Sequence, residues 1–588
     1  MIWTSLYYWG FCLFGQQTPF LNPQLQVPNS VPKPTVRPNV VFILTDDQDL
    51  RMDSLDFMPN LQKHLVEQGT FYRRHYCTVA LCCPSRVSLW TGKTAHNTNV
   101  TDVNPPYGGY PKFVSQGLND NFLPIWLQEA GYSTYYTGKL FNAHTVDNYH
   151  SPHVNGFNGS DFLLDPFTYQ YLNSTYQRNR EPPVHHEGEH TLEVLAKKAY
   201  GFLDDAVEAD NPFFLTVAPV APHSNVKFDV AQGPIDDLIA EFSPPIPLER
   251  HAHLFQDAKV PRTANFNPAG PSGVNWIKTL ARQSQENVDY NDHFYRNRLR
   301  ALQGVDELIE GIVERLQKHD VLDNTYIVYS TDNGYHIGQH RLQPGKECGF
   351  EEDINIPLVI RGPGVPKNVT TGIVTTHTDL APTFLRLIGA PTRADFDGKN
   401  IPTSEGELAN ASVKRHEHVN VEYWGFALGE GKDWDRARIH HNNTYKALRV
   451  ISETYNLYYS VWCNNEHELY DLQTDPSQLQ NLFAERHSQT LLGFPVSKVT
   501  ARLDALLFVL KSCKGRTCVE PWHALHPDRN VENLRHALSS RFDRFYELQQ
   551  KKIEYNRCED GYIVDAEGPQ FEKDGLVYRY NSRWSDWV

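Results

Sequence analysis

The run with the clearest chemical meaning is Cys-Cys-Pro-Ser-Arg at residues 82–86, followed by Thr91-Gly92. Pro84 suits the first position of a helix, because its missing N–H would have no helical partner there. Cys82 would then lie near a helix N-terminus and one turn from Arg86, and both features favour an anionic or electrophile-derived group. Taken alone, Cys82 would be interpreted as a buried cysteine at a helix start, so the surrounding pattern has to decide.

The spacing of the same residues argues against two other chemistries. The arginine follows the thiols too closely for a phosphate loop of the cysteine-phosphatase type. No CxxC pair surrounds the thiols, which argues against a closed zinc site.

Polar residues follow four short apolar runs at the points where these runs end. The runs are 40–44, 133–136, 213–217 and 325–329. Helical patterns such as 190–207 and 296–318 lie between them, and this alternation predicts a parallel sheet flanked by helices. Ligands of such sheets bind beyond the carboxyl ends of the strands. We therefore expect one site to contain Asp46, Asp47, Lys139, His223, Asp332 and Asn333.

Three of these residues are carboxylates, and their mutual repulsion would be costly without a cation. Together with the Asn333 amide oxygen they form a hard, oxygen-rich donor set that suits Ca²⁺ or Mg²⁺. Adjacent aspartates such as Asp46-Asp47 often form only a solvated turn, but the second acid-amide pair at another strand end favours a metal site.

The pattern C-x-P-S-R-x-x-x-x-T-G at residues 82–92 resembles the signature of type I sulfatases, in which the first cysteine is converted to formylglycine. Further segments resemble the same family in order along the chain, from about residue 38 to beyond 520. They include 45–49, 138–139, 221–223, 331–336, 345–346, 357–364, 379–383 and 468–472. The double cysteine, the Gly-Tyr-His at 334–336 and the segment 513–522 look closest to fungal arylsulfatases and glucosamine-6-sulfatases.

The resemblance implies a role for each matching residue. Cys82 would become formylglycine, whose hydrate is the nucleophile, and Arg86 would orient that hydrate. One Ca²⁺ ion would be bound by Asp46, Asp47, Asp332 and Asn333. The sulfate or the leaving group would be contacted by Lys139, His223 and Lys346.

One segment departs from the family pattern. Many sulfatases have a histidine two residues after the lysine of the Gly-Lys segment, and Phe141 occupies that position here. Asn142 could supply a sulfate contact instead, with His144 as a weaker candidate. His336 could touch substrate or be only a hydrogen-bonded loop histidine.

The implied activity is hydrolysis of sulfate esters of the arylsulfatase type. An N-acetylglucosamine-6-sulfatase-like exosulfatase is an alternative. A phosphomonoesterase or phosphodiesterase of the same superfamily would use threonine or serine and usually two zinc ions, which the cysteine and the single metal set disfavour. A non-catalytic binder of sulfated glycans is a further alternative, against which the retention of Cys82, Arg86 and both lysines argues.

The charge balance limits the partners. The 588 residues include 55 Lys and Arg against 70 Asp and Glu, a net charge of −15, with a pI near 5.9. Without a block of basic residues, nucleic acid and anionic membranes are poor partner candidates. The expected partners are a small sulfate-ester substrate and a formylglycine-generating enzyme or its equivalent.

The N-terminus predicts export. Residues 1–17 have the length of a signal-peptide core rather than of a membrane span. The predicted destination is extracellular or cell-wall-associated, or vacuolar and lysosome-like. Six N-x-S/T glycosylation acceptors support it, at Asn99, Asn158, Asn173, Asn368, Asn410 and Asn442.

The nine cysteines allow only a partial prediction of pairing. Cys513 and Cys518 could close a small loop. If Cys12 leaves with the signal and Cys82 is modified, an odd number remains. At least one thiol should then stay unpaired among Cys77, Cys83, Cys348, Cys463 and Cys558.

The predicted fold class is α/β, with a large mixed, mostly parallel sheet flanked by helices. After an extended, proline-rich lead-in at 18–37, the catalytic domain would cover 38–405 and contain a long loop at 241–275 over the sheet edge. A smaller α+β domain with an antiparallel sheet would cover 406–588. Its expected strands are 417–423 and 444–452. An apolar stripe at 503–510 and an aromatic stripe at 534–546 each predict a helix packed into the core.

Overall fold

A ten-stranded mixed sheet forms the centre of the computed structural model, which describes residues 37–209, 211–228, 240–431 and 439–579. Its strands lie in the order Val369–Thr371, Thr70–Tyr72, Leu358–Arg361, Thr325–Thr331, Asn39–Thr45, Phe213–Ala218, Ser133–Gly138, Gly159–Leu163, Asn173–Arg178 and Val184–Glu187. The five central strands are parallel, and antiparallel pairs occur on both sides of them. The predicted α/β class is therefore confirmed.

The four strands predicted from apolar runs are neighbours in this sheet. Asn39–Thr45 lies between Thr325–Thr331 and Phe213–Ala218, and Ser133–Gly138 follows. The register pairs Thr45 with Thr331, so the polar residues after both strands begin at the same level. The carboxyl ends of the four strands consequently meet at one edge of the sheet.

Alternate residues of a strand point to opposite faces of the sheet. Both faces of this sheet are buried. Val41 and Ile43 belong to one apolar cluster, which is covered by the helices Thr191–Glu208 and Gln285–Lys318. Phe42 belongs to a second cluster, which is covered by the helices Cys82–Thr91, Leu123–Glu129 and Leu380–Leu387. A strand buried on both faces explains the uninterrupted apolar run at 40–44.

The long helix Gln285–Lys318 begins earlier than the apolar pattern at 296–318 predicts. Ser284 Oγ accepts a hydrogen bond from the Asn287 amide, and Asn287 Oδ1 accepts one from the Ser284 amide. This capping box satisfies N–H groups that would otherwise lack partners, so the helix extends over its polar first turns.

The C-terminal region contains a four-stranded antiparallel sheet of His418–Tyr423, Tyr445–Ile451, Asn456–Trp462 and His467–Asp471. The helix Val496–Leu510 packs on it. Residues 36–588 form one compact unit, and the domain boundary near residue 406 stays a prediction. The predicted signal peptide, and the lead-in up to residue 36, lie outside the described residues. No helix of the described chain has both the length and the apolar character needed to cross a membrane.

The prediction of one helix across 534–546 is wrong. The segment forms the short helix Leu534–Ala537, the 3₁₀ turn Ser540–Phe542 and the π-helical turn Phe545–Gln549. Ser539 is extended, with φ −58° and ψ 135°, and it interrupts the helix. The expected core packing is confirmed, because the residues of the stripe are all buried in one apolar cluster, namely Leu534, Leu538, Phe542, Phe545 and Tyr546.

The loop predicted at 241–275 also contains regular structure. The strand Ala240–Ser243 pairs with Asn225–Phe228, and Glu249–His251 forms a 3₁₀ turn.

Two disulfides lie in the C-terminal region. Cys513–Cys518 is the predicted pair, and Cys463–Cys558 is a second one. The thiols of Cys77, Cys82, Cys83 and Cys348 are free and buried.

Glu417 is a buried acid at the start of the C-terminal sheet. Its carboxyl accepts hydrogen bonds from Trp522 Nε1 at 3.1 Å and from the Leu534 amide at 2.7 Å, and Tyr455 donates to its other oxygen. Burial raises the pKa of Glu417 to about 7 although these donors lower it.

Candidate active site

The nucleophile candidate Cys82 lies at the first position of the helix Cys82–Thr91. Every residue of this helix is buried, and Cys82 is 2% exposed. The helix begins before Pro84, which therefore occupies its third position rather than its first. Pro84 is tolerated there because the N–H groups of the first turn have no helical partner. The helix ends at Gly92, whose φ of 66° favours glycine.

Asp46, Asp47, Asp332 and Asn333 follow two neighbouring strands and come together, all fully buried. The amides of Asp47 and Asn333 both donate to Asp332 Oδ1, at 3.0 and 2.9 Å. Asp47 has a left-handed backbone, with φ 62°. Strained conformations of this kind persist where the surrounding structure fixes them, as these hydrogen bonds do here.

Arg86 holds two of the carboxylates. Its Nε donates to Asp332 Oδ2 at 2.8 Å and one Nη donates to Asp46 Oδ2 at 3.2 Å. The other Nη donates to the Lys139 carbonyl at 2.6 Å. Lys139 Nζ lies 2.5 Å from Asp46 Oδ2. Burial raises the pKa of Asp46, but Lys139 and Arg86 outweigh it and keep that pKa below its ordinary value.

Lys139 reaches this position because of Gly138. A Cβ on Gly138 would lie 2.0 Å from the Ala218 carbonyl oxygen, and its φ is 108°. Only glycine permits this backbone, which turns the chain toward the site at the end of its strand.

Lys346 and His223 also contact Asp47, and Lys346 lies close to Cys82. Lys346 Nζ is 2.7 Å from both carboxylate oxygens of Asp47 and 3.4 Å from Cys82 Sγ. His223 Nε2 is 3.5 Å from Asp47 Oδ2, while Nδ1 is 2.8 Å from the Ser224 carbonyl. Cys82 Sγ is 3.5 Å from Asp46 Oδ1. Burial and Asp46 raise the pKa of the Cys82 thiol well above its ordinary value, although Lys139 lowers it.

Two of the four predicted metal ligands, Asp46 and Asp47, lie in a group of possible ligand atoms together with Cys82 and His223, all within 4.8 Å of one another. Asp332 and Asn333 adjoin this group through hydrogen bonds with Asp47. The carboxylate and amide oxygens among these residues suit a hard divalent cation. Asn333 Nδ2 donates to Asp47 Oδ1 and to the Gly334 carbonyl, each at 2.8 Å. Asn333 Oδ1 is buried and finds no hydrogen-bond partner in the described part of the chain. Buried polar atoms are rarely left without a partner, and a bound ion would satisfy this one.

Of the two further substrate candidates, Asn142 and His336, Asn142 is linked to Lys139 and His223 through Tyr169. Its Nδ2 donates to the Tyr169 hydroxyl at 2.7 Å. The Tyr169 ring lies 4.8 Å from Lys139 Nζ and stacks on His223 at 4.0 Å. His144 is buried between aromatic rings away from these contacts, and burial lowers its pKa to about 3.

His336 lines the same depression as Lys346. Its Nδ1 contacts both oxygens of Asp353, at 2.8 and 2.9 Å. The carboxylate therefore orients the imidazole ring.

The site contains residues that the sequence reasoning missed, among them Tyr169, Arg298 and Glu430. Arg298 donates to the Asp47 carbonyl, and to Asp49 Oδ1 at 3.2 Å. It shares one helix face with buried Leu302 and Val305, so a charged residue in an apolar stripe was an available signal. Glu430 pairs with Lys346 and follows a short strand with no comparable pattern.

Comparison with known proteins identifies the family. The chain matches the Sulfatase family over residues 38–390 and the C-terminal region of N-sulphoglucosamine sulphohydrolase over 338–503. It is 38% identical to an arylsulfatase of Volvox carteri, covering 89% of this chain and 82% of the relative. It is 31% identical to N-acetylglucosamine-6-sulfatase of Homo sapiens, covering 83% and 87%.

A solved structure shares the fold. The Bacteroides fragilis protein yidJ superimposes with a TM-score of 0.60 at 20% identity, covering 81% of this chain and 96% of that one. With the family match extending over more than half of the residues, the chain belongs to the sulfatase family and is a sulfuric ester hydrolase.

Proposed function

We propose that this enzyme hydrolyses small sulfate esters of the arylsulfatase type, using the hydrate of a formylglycine made from Cys82 as its nucleophile. One Ca²⁺ ion would be held by Asp46, Asp47, Asp332 and Asn333. The observation that carries the proposal is the convergence of Cys82 with three carboxylates and four basic side chains in one buried site, together with an amide oxygen that has no hydrogen-bond partner among the described residues.

Ca²⁺ and formylglycine would supply two kinds of chemistry. Bound Ca²⁺ would offset charge on the sulfuryl oxygens and acidify a hydroxyl of the nucleophile. The aldehyde hydrate offers one hydroxyl for attack on sulfur and a second whose deprotonation releases sulfate, which a thiol or serine could not do.

The side chains of the protein bind and orient. Arg86 donates hydrogen bonds to Asp46 and Asp332, and it is fully buried. Lys139 and Lys346 place positive charge on two sides of Cys82, where preorganised charge stabilises sulfuryl oxygens. His223 Nδ1 donates to the Ser224 carbonyl, which orients the ring. In its imidazolium form, with Nε2 at 3.5 Å from Asp47 Oδ2, His223 would give the Nε2 proton to the leaving oxygen.

The test is peptide mass spectrometry of residues 75–93 from active enzyme. We expect formylglycine at Cys82 and an intact thiol at Cys83. The variant Cys82→Ala should lose all turnover, whereas the matched variant Cys83→Ala should retain it, because the Cys83 side chain is buried in an apolar cluster. Unmodified cysteine at position 82 in fully active enzyme would falsify the mechanism.

An N-acetylglucosamine-6-sulfatase-like activity is the second candidate. It is favoured by Asn142, which follows Phe141 at the family's usual histidine position and donates to the Tyr169 hydroxyl, and by the relative named for that activity. The ratio of turnover rates for an aromatic sulfate and for glucosamine 6-sulfate decides between the two.

We also propose that the protein matures in the secretory pathway, together with a formylglycine-generating enzyme. Two disulfides favour an oxidising compartment. Of the glycosylation acceptors, Asn158, Asn368, Asn410 and Asn442 are exposed and Asn99 and Asn173 are half-buried. Loss of mass after enzymatic deglycosylation would test their use.

A further inference from the structure

Glu430 is a buried carboxylate that the C-terminal region contributes to the active site. It is 3% exposed and follows the short strand Ala427–Leu428, which pairs with Ile439–His440. Its own amide donates to the Pro344 carbonyl at 2.8 Å. Gly429 bridges to Gly345 in the backbone. The main chain therefore fixes Glu430 directly beside the segment that carries Lys346.

The Glu430 side chain contacts three loops of the site at once. Oε1 lies 3.3 Å from Lys346 Nζ. Oε2 accepts hydrogen bonds from Ser224 Oγ at 2.6 Å and from the Tyr335 hydroxyl at 3.0 Å. Ser224 follows His223, and Tyr335 precedes His336. One carboxylate thus ties together the segments that carry three candidate site residues.

This carboxylate remains charged. Burial would raise the pKa of Glu430, but Lys346 and His223 outweigh it and lower that pKa to about 2. A buried charge is tolerated only with a partner and with its remaining lone pairs satisfied. Lys346 is the partner, and the two hydroxyls satisfy the other oxygen.

We propose that Glu430 is a positioning residue that holds the Lys346 ammonium between two carboxylates, beside the leaving oxygen of the substrate. This inference rests on the proposed function. Asp47 contacts Lys346 Nζ at 2.7 Å and Glu430 contacts it at 3.3 Å, and Nζ lies 3.4 Å from Cys82 Sγ. Without Glu430, the flexible lysine side chain would be drawn to Asp47 alone.

The position of Lys346 matters for the bond that breaks. The nucleophile derived from Cys82 forms a bond to sulfur, and the electron pair of the ester S–O bond moves to the departing oxygen, which then takes a proton. A fixed ammonium stabilises that developing charge. The stabilisation counts most for alcohols of high pKa, because their departing oxygen carries more charge in the transition state.

The test is Glu430→Gln, assayed with a series of aryl sulfates whose phenols differ in pKa. The amide oxygen can still accept from Ser224 and Tyr335, but the charge opposite Lys346 is gone. We expect kcat to fall about tenfold for the best leaving group and about a hundredfold for the poorest, the range for losing one oriented charge. KM should change little.

Glu352→Gln is the matched control. Glu352 is also a buried acid in the neighbouring segment, but its Oε1 accepts from Asn265 at 2.9 Å, and within the described residues no ion pair joins it to Lys346. The loss of kcat in this variant, relative to wild type, should be the same for every leaving group. An equal loss across the series for Glu430→Gln would overturn the inference.

Two further measurements keep the result interpretable. If Glu430→Gln does not fold, Glu430→Asp keeps the charge at a greater distance and should show the same trend at smaller size; a flat series then overturns the inference. Failure of the proposed function itself would appear separately, as wild-type enzyme without formylglycine or without sulfate-ester turnover.

Discussion

Replacing Asn333 by alanine tests the metal site with a readout other than activity. In the metal-free protein the variant loses the hydrogen bonds from Nδ2 to Asp47 Oδ1 and to the Gly334 carbonyl, both 2.8 Å long. One bond to a carboxylate and one neutral bond contribute together about 2–4 kcal/mol. Removing the unpartnered Oδ1 costs nothing in that state, because it has no partner to lose.

Calcium should separate the variant from wild type further. At a free concentration one hundred times the Kd, a bound ion adds about 2.7 kcal/mol to the stability of the wild type. If loss of the Asn333 oxygen weakens binding about a hundredfold, the same concentration adds only about 0.4 kcal/mol. Most of the calcium-dependent stabilisation should therefore disappear.

The assay is thermal unfolding of each protein in EGTA and in calcium, compared as the shift between the two conditions. Asn119→Ala is the matched control. Asn119 is buried, donates to the His153 carbonyl at 3.0 Å and accepts from the Asn155 amide at 3.1 Å. The Asn119→Ala variant should be less stable than wild type but show the same shift in unfolding temperature between EGTA and calcium. An equal calcium shift in wild type and Asn333→Ala would refute the assignment of Asn333 as a ligand.

Two further predictions concern the C-terminal region. The folded-state pKa of Glu417 is raised from 4.5 to about 7, so its contribution to stability is present below pH 4.5 and is lost as pH rises toward 7. Glu417→Gln should therefore gain stability over wild type across this interval, by about 3 kcal/mol, as urea unfolding at pH 5 and pH 8 can measure. Removing Cys463–Cys558, which spans 95 residues, should lower the urea midpoint more than removing Cys513–Cys518, which spans 5; the loop entropies are about 5 and about 2 kcal/mol.

The convergence of the two acidic strand ends was predictable because their signal is local. An apolar run buried on both faces, followed at once by Asp46-Asp47 or Asp332-Asn333, is visible in sequence, and parallel strand topology places such ends together. Arg298 was predictable in principle, since it interrupts an apolar helix face. Its acceptor, the Asp47 carbonyl, was not, because backbone acceptors leave no trace in a sequence.

Glu430 and the 534–549 segment show where sequence reasoning ends. The partner of Glu430 is fixed by how a short hairpin lies against the segment around Gly345, which no periodicity encodes. At 534–546 the apolar spacing correctly predicts burial, but the extended backbone of Ser539 breaks the helix. Apolar spacing alone therefore overestimates helix length there.

Because Cys82 is buried in the folded protein, its conversion to formylglycine would have to take place before folding is complete. In the folded protein a modifying enzyme could reach the thiol only after the helix Cys82–Thr91 had opened, because every residue of that helix is buried. The bond from Arg86 to Asp332 joins residues 246 positions apart. At about 5–20 residues per second of synthesis, the cysteine segment waits roughly 12–50 s for the strand end that encloses it. Oxidation of Cys82 would therefore have to be complete before Asp332 is synthesised and pairs with Arg86.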